Sequence, residues 1–156
     1  MTTQDYDKSF LPDLMENLGF ATDFAVNGCG IGADAFYDFL IVSKVAKQIE
    51  TKSPVFICGC SGTELVLTVF ERVGYNGNIP ETPLGFVRFD RSPEYWAGWI
   101  TAFYQWKSGL TFSRIRELIA FHDIINMYYP LHEAPEDKFI DVMNSLIEKR
   151  QKDLPA

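Results

Sequence analysis

The sequence predicts one mainly α-helical domain over residues 1–156, a single-domain bundle of about six helices with at most one or two very short strands. Two observations predict this class. Apolar residues recur at three- and four-residue steps through most of the chain, which is the spacing of one helix face. Strand candidates are too few and too short for a doubly wound sheet.

Composition and charge exclude several classes of protein. The chain is 47% hydrophobic and 22% charged, as in an ordinary folded protein. Its net charge of −7 opposes the attraction to phosphate, so DNA and RNA are disfavoured as partners. A polar, acidic N-terminus and the lack of a long apolar stretch predict no signal peptide and no membrane span. Three cysteines, an odd number, favour free thiols and a cytoplasmic location.

Periodicity and end signals define the predicted helices. Six helices are predicted: the first from Ser9 or Leu11 to residue 27, and the others over residues 34–49, 62–73, 93–108, a short helix to 119 capped by Thr111 or Ser113, and 135–152. A further turn or two is predicted over 122–129. Asn27 and Gly28 are expected to end the first helix in left-handed conformations, and Asp34 is expected to cap the second. Ser43 marks a position where the second helix can break into two pieces.

The clearest end signals belong to the third and fourth helices. Ser61 and Glu64 form the S-x-x-E pattern of a capping box, and Gly74 follows the end of that helix. Ser92 is the expected N-cap of the fourth helix, and Gly109 is expected to end it. These helices therefore have the most firmly predicted bounds.

Three further segments have weaker signals. The run VFIC at 55–58 is the best strand candidate, although four residues fit a buried extended connector equally well. Residues 75–91 are rich in Gly and Pro and form the longest irregular segment. Within it, residues 86–89 are a second candidate for a short strand. Pro130 is expected to end the helical turns that begin at His122.

The fourth helix is the most distinctive segment because it is rich in aromatic residues. Trp96, Trp99 and Phe103 share one face, whereas Tyr95 and Trp106 lie on another. If the first face is core, the second is free to bind a partner, since Trp, Tyr and Arg are enriched among binding hot spots. The alternative is that all these aromatic residues are core. The candidate partner-binding residues are Arg88, Asp90, Arg91, Tyr95, Trp99 and Trp106.

A glycine-rich turn before the third helix is the alternative site, because a helix N-terminus offers backbone N–H groups to an anion. Its candidate ligand-binding residues are Gly59, Cys60, Ser61, Gly62 and Glu64. Cys60 is the nucleophile candidate, since a helix N-terminus lowers a thiol pKa. The turn lacks the Lys of a phosphate-binding loop and the G-x-S-x-G of a nucleophile elbow, and nothing places His122 or His132 beside it. Close packing through the glycines explains the same residues.

Metal binding and DNA binding have less support. None of the C-x-x-C or H-x-x-x-H spacings of zinc ligands occurs, so no metal site and no cofactor is predicted. The order of helices over 92–129 resembles that of helix-turn-helix proteins, with a small basic excess between Arg88 and Arg116. DNA binding is retained as a third function.

Several segments resemble a known group of proteins. SPEYWAGWITAFYQWKSG, HDIINMYYPLHE and KFIDVMNSLIEKR resemble a group of small uncharacterised bacterial helical proteins that share an EYWAGW…YYQW helix and a closing M-Y-x-x-L-H-E-A segment. LMENLGFATDFAVNGCG and CSGTELVL are similar to their N-terminal halves, so the resemblance covers most of the chain. The closing segment is also similar to a helical domain of unknown function found in toxin–antitoxin-like gene clusters. The resemblance implies an accessory or neutralising protein and carries over no catalytic residue.

The favoured function is a non-catalytic cytoplasmic interaction protein, antitoxin-like or accessory, whose partner is another protein such as the product of a toxin-like neighbouring gene. The alternatives are a small-molecule binder or enzyme with its site at Gly59–Glu64, and a helix-turn-helix-like regulator. A homodimer is also open, because a second copy would cover an unburied aromatic face.

Overall fold

The first helix is the central element of the fold. The computed structural model describes residues 8–80 and 92–153. A 3-10 turn, Lys8–Phe10, leads into α1, Leu11–Asp23, and a π-helical turn, Phe24–Gly28, extends it. The apolar stripe predicted for this helix is buried, so the periodicity identified its core-facing side.

Nine further helices follow in the described residues. They are α2 (Ala33–Val42), α3 (Val45–Glu50), α4 (Pro54–Ile57), α5 (Gly62–Val73), α6 (Pro93–Ser108), α7 (Phe112–Leu118), α8 (Phe121–Asn126), α9 (Tyr128–Leu131) and α10 (Glu136–Asp153). The described residues contain no strand, and the predicted mainly α-helical class is confirmed. The helices are more numerous than predicted because the second predicted helix is divided, the turns predicted at 122–129 form two short helices, and one strand candidate is helical.

The predicted ends of α5 and α6 are confirmed by their capping contacts and backbone conformations. Ser61 Oγ accepts a hydrogen bond from the backbone N–H of Glu64, and Glu64 Oε1 accepts one from the N–H of Ser61, which completes the capping box of α5. Ser92 Oγ accepts from a backbone N–H in the first turn of α6. Gly74 and Gly109 end these helices with φ values of 72° and 74°.

The predicted break in the second helix is confirmed at Ser43. Lys44 has a φ of 70°, and this left-handed residue separates α2 from α3. The Ser43 hydroxyl donates to the carbonyl of Leu40 at 3.0 Å and lies 3.3 Å from the backbone nitrogen of Val45. One short side chain therefore satisfies backbone groups on both sides of the break.

Two predictions near the start of the chain are wrong. The left-handed residue after the first helix is Gly30, with a φ of 76°, and Asn27 and Gly28 do not have positive φ values. Asp34 does not cap α2, because Gly32 occupies the N-cap position and the Asp34 carboxylate bonds to α8 instead. Local pattern alone does not distinguish a capping carboxylate from one recruited by a distant helix.

Two further predictions concern short segments. The strand candidate at 55–58 lies mostly within α4, where Pro54 at the first helical position favours a helical turn. Pro130 lies inside α9 and does not end a helix, because its missing N–H falls in the first turn, where no intrahelical partner exists. The second strand candidate, 86–89, lies outside the described residues.

Glycines allow two helices to approach α1 closely. At Gly98 of α6, a Cβ atom would lie 2.3 Å from the carbonyl oxygen of Leu18 and 2.4 Å from Oγ1 of Thr22. At Gly62, the first residue of α5, a Cβ atom would lie 2.7 Å from the backbone nitrogen of Ala21. A larger residue at either position would push its helix away from α1, because the obstructing atoms include backbone.

A buried carboxylate fixes the N-terminus of α6 to the end of α1. Asp23 is fully buried, and its Oδ1 accepts hydrogen bonds from Asn27 Nδ2 at 2.7 Å and from Ser92 Oγ at 2.9 Å. Because Ser92 is also the N-cap of α6, one hydroxyl both starts this helix and ties it to α1. Asn27 Nδ2 further donates to Glu94 Oε1 at 2.8 Å.

The last helix docks on α6 through aromatic contacts. Phe139 of α10 meets Trp96 edge-on, with ring centroids 5.6 Å apart, and the Tyr104 hydroxyl donates to Asn144 Oδ1 at 2.8 Å. Buried apolar side chains from α1 to α8 and from α10 form one core. Helix α6 is therefore covered by α1 and by α10.

We predict that Gly98→Ala lowers the free energy of unfolding by about 1–3 kcal/mol, the usual range for an overpacked core. The loss is expected even though alanine is favoured over glycine inside a helix by about 1 kcal/mol. Urea unfolding followed by circular dichroism measures the change. The matched control is Gly32→Ala, because a Cβ atom at Gly32 meets no atom within 4 Å. Equal stability of the two variants would contradict the close approach of α6 to α1.

Candidate functional site

An aromatic stripe on α6 faces a groove beside α1. Tyr95, Trp99 and Phe103 are spaced four residues apart, so they follow one another along one face of the helix. All three side chains are partly exposed, whereas Trp96 and Trp106 of the same helix are buried. The stripe is therefore the part of this aromatic helix that the core leaves uncovered.

The groove has a volume of about 460 Å³, within the range of about 300–1,000 Å³ for ligand pockets. Helix α1 contributes Leu11, Pro12, Met15 and Glu16 to its lining, α6 contributes the aromatic stripe, and α10 contributes Glu136. We call this surface the aromatic groove. Leu11 and Met15 are buried, so they form an apolar floor.

A glycine of α1 makes room for the first ring of the stripe. A Cβ atom at Gly19 would lie 2.6 Å from a ring carbon of Tyr95. The Tyr95 ring also packs edge-on against Phe20, with the ring centroids 4.9 Å apart. Tyr95 is therefore held against α1 by a fitted surface and is positioned before any partner binds.

Two carboxylates supply the charge of the aromatic groove. Glu16 is exposed in the middle of α1, and Glu136 lies in the first turn of α10. Neither forms an ion pair within the described part of the chain. The Lys107 ammonium lies 5.7 Å from the centroid of the Phe103 ring but does not line the groove. The lining that the described residues form is thus apolar and acidic.

The structure brings together two of the predicted partner-binding residues, Tyr95 and Trp99. The predicted division of the helix faces is wrong. Trp106 was expected on a free face, but its side chain is only 5% exposed. Trp99 and Phe103 were expected to share a face with the buried Trp96, but they are partly exposed and line the groove with Tyr95. The ammonium of Lys52, in the connection after α3, lies 3.4 Å from the centroid of the Trp106 ring. The remaining predicted residues, which lie outside the described residues, are Arg88, Asp90 and Arg91.

The Gly59–Glu64 turn does not offer a free helix N-terminus. The capping box uses the side chains of Ser61 and Glu64 to satisfy two backbone N–H groups of this turn. Hydrogen bonds to its carboxylate from the backbone and then the side chain of Ser61 lower the pKa of Glu64. Gly62 packs against α1, and a Cβ atom at Gly59 would lie 2.9 Å from the Cα atom of Val55. These contacts favour close packing over anion binding as the reason for the glycines.

The surroundings of Cys60 disfavour the thiolate form of its side chain. Burial raises the pKa of its thiol, and the Glu64 carboxylate and Cys58 raise it further. Neither histidine hydrogen-bonds to it within the described residues, since His122 bonds to Asp34 and His132 bonds to a backbone carbonyl. The expectation that the helix N-terminus lowers this pKa is wrong, because burial of the thiol raises it and the capping carboxylate at that end of the helix adds to the rise.

Sequence reasoning missed a charged cluster where α2, α7 and α8 meet. Asp34 Oδ2 lies 2.7 Å from His122 Nδ1, and Asp34 Oδ1 accepts a hydrogen bond from the backbone N–H of Phe121 at 2.5 Å. Arg116 lies 3.7 Å from Asp34 and 3.1 Å from Asp38. Because 88 positions separate Asp34 from His122, no local pattern could reveal the pair.

The pair shifts both pKa values towards the charged forms. Partial burial opposes ionisation of Asp34, but hydrogen bonds from His122 and Phe121 and the charge of Arg116 lower its pKa overall. The hydrogen bond to Asp34 raises the pKa of His122, against some desolvation, and Asp123 adds to the rise. The His122 side chain is 63% exposed, so the pair is a screened surface contact that links α2 to α8.

No family model, no curated protein and no solved structure matches the chain. The resemblance stated from the sequence stays a prediction.

Over residues 8–80 and 92–153, no helix has both the length and the apolar composition needed to cross a bilayer. The same ranges contain no group of three or more His, Cys, Asp and Glu side chains arranged to hold a metal ion.

We predict that Cys60 alkylates several-fold more slowly at neutral pH than a model thiol, whose pKa is about 8.5. The rate is measured with iodoacetamide in a Cys58→Ser background. Glu64→Gln should speed the reaction, because it removes the negative charge while glutamine still completes a capping box. A Cys60 that reacts faster than the model thiol would restore the nucleophile hypothesis.

We predict that Asp34→Asn lowers the pKa of His122 measured by NMR titration, because the hydrogen bond that the imidazole donates to the carboxylate is the main cause of the raised value. The chain has two histidines, so the histidine signal that remains in a His132→Gln variant is that of His122. Since the folded pKa of His122 is raised and that of Asp34 is lowered, the stabilisation from the pair is full between the unfolded pKa values of Asp, about 3.9, and His, about 6.5. It is lost as the pH rises through the folded pKa of His122 and as the pH falls through the folded pKa of Asp34. An unchanged His122 titration in the variant would show that the pair does not form in solution.

Proposed function

We propose that the chain is a non-catalytic interaction protein that binds another protein through the aromatic groove. The observation that carries this proposal is the stripe of Tyr95, Trp99 and Phe103, left partly exposed in a concave apolar surface. Burying apolar surface contributes about 25 cal/mol per Å², and aromatic side chains present large areas. Covering the stripe with a partner therefore lowers the free energy of the complex.

The chemistry of the alternative site supports binding over catalysis. The Gly59–Glu64 turn uses its own capping box where an anion would bind, and the raised pKa of Cys60 makes its thiol a poor nucleophile. His122 is engaged with Asp34 at the surface. Within the described residues, no hydroxyl or thiol hydrogen-bonds to either histidine. A nucleophile paired with a base is thus missing from this part of the chain.

The proposed partner is a protein and not a nucleic acid. The acidic lining of the groove and the net charge of −7 both oppose binding of a phosphate backbone. The sequence resemblance to proteins of toxin–antitoxin-like gene clusters motivates an accessory or neutralising role, and the product of a neighbouring gene is the first partner to test. All three cysteines are free, which supports the cytoplasm as the proposed location.

We predict that Tyr95→Ala combined with Trp99→Ala weakens partner binding at least about 30-fold, because aromatic anchors at the centre of an interface typically contribute 2 kcal/mol or more each. The partner is first captured from the native host with the tagged full chain and identified by mass spectrometry. Its affinity for the wild type and for the variant is then measured by calorimetry.

The matched control is Tyr129→Ala, which removes a ring that is 80% exposed on α9 and does not line the groove. This variant should bind like the wild type, and circular dichroism should show that all the variants fold. Equal affinity of the double variant and the wild type would reject the groove as the binding surface. Light scattering of the wild type alone identifies the case in which the partner is a second copy.

A further inference from the structure

We propose that the occupant of the aromatic groove is an amphipathic helix of the partner protein, carrying a lysine or arginine next to its apolar anchors. This inference rests on the proposed function, because it specifies the chemistry of the partner that the groove binds. The charge of the groove, its aromatic rings and its shape each support it.

The carboxylates of the groove favour a cation on the partner. Glu136 lies in the first turn of α10, where the helix dipole favours a negative charge. Glu16 lies in the middle of α1, so the dipole does not explain its position. Neither carboxylate has a cation partner in the described part of the chain, whereas Glu117 and Glu148 pair with basic residues of their own helices. A basic group on the partner would supply the missing charge.

The aromatic stripe suits a basic side chain as well as an apolar one. The faces of Trp and Tyr rings attract Lys and Arg cations, and Trp is the most effective. The aliphatic stem of such a side chain covers apolar surface while its charged end reaches a carboxylate. Trp99 and Glu16 line the same groove, so one basic residue of the partner can contact both types of group.

The shape of the groove suits a helix. Its two long walls are α1 and α6, and the stripe extends over nine residues from Tyr95 to Phe103, about 12 Å or two helical turns. An amphipathic helix presents anchors at this spacing when it lies in a groove. The alternative of strand addition requires a sheet edge, and the described residues contain no strand.

The same charges argue against other occupants. A symmetric homodimer places the same surface patch against its own copy, so Glu16 and Glu136 would face like charges. The net charge of −7 adds to this repulsion, and it also opposes anionic membranes. The negative charge of the protein attracts a basic helix, and the apolar lining of the groove can pack against its anchors.

The test is a selection from a display library of helical peptides that have fixed apolar anchors at i, i+4 and i+8 and random residues beside them. The bait is the full chain, and counter-selection uses the Trp99→Ala variant. Enriched peptides are synthesised, and their affinities are measured for the wild type, for Trp99→Ala and for the double variant Glu16→Gln with Glu136→Gln. The control for net charge is the double variant Glu71→Gln with Glu148→Gln, which neutralises two carboxylates that do not line the groove.

The proposal expects enriched peptides to carry Lys or Arg beside the anchors. Their affinity should fall about fivefold to tenfold for the Glu16 and Glu136 double variant, as expected for two solvent-accessible ion pairs, and should not fall for the control. It should also decrease with added salt. Peptides that need Trp99 but show no basic enrichment and no loss with the double variant would overturn this inference while the proposed function stands. If no peptide depends on Trp99, the helical occupant is rejected, and the capture experiment with the Tyr95→Ala and Trp99→Ala double variant decides the proposed function separately.

Discussion

The direct contact between α1 and α6 at Gly98 is the constraint on which the other features depend. Atoms of Leu18 and Thr22 occupy the space that a Cβ atom would need, so the two helices pack at backbone distance. A glycine inside a helix is less favourable than an alanine by about 1 kcal/mol, and the dispersion contacts of the close packing offset that cost. The Thr22 hydroxyl donates to the Leu18 carbonyl at 2.7 Å, so it requires no partner from α6.

The groove results from this packing. With α6 held against α1, Gly19 leaves space for the Tyr95 ring, and the buried Asp23 holds the start of α6 through Ser92. The aromatic stripe thus starts at a fixed point and continues along a rigid helix. A binding surface built on packed helices loses little conformational freedom when a partner binds, which favours affinity. The helices that form the core therefore also determine where the groove lies.

The helix ends could be predicted because their signals are local. Ser61, Glu64 and Ser92 cap helices through contacts with residues three positions away, and a sequence pattern records such contacts. The burial of Trp106 could not be predicted in this way. Periodicity shows which residues share a face of a helix, but it does not show which of those faces other segments of the chain cover. Half of the aromatic groove, the wall formed by α1, was missed for the same reason. The link between Asp34 and α8 is likewise a long-range contact without a local signal.

The most direct test of this arrangement is a nuclear Overhauser measurement on the labelled full chain. If α6 lies against α1 as described, the α protons of Gly98 show strong cross-peaks to protons of Leu18 and Thr22, and the Tyr95 ring shows them to the α protons of Gly19. These cross-peaks would place the aromatic stripe beside α1. Their absence in a folded sample, with α6 still helical, would contradict both the glycine-mediated contact and the groove.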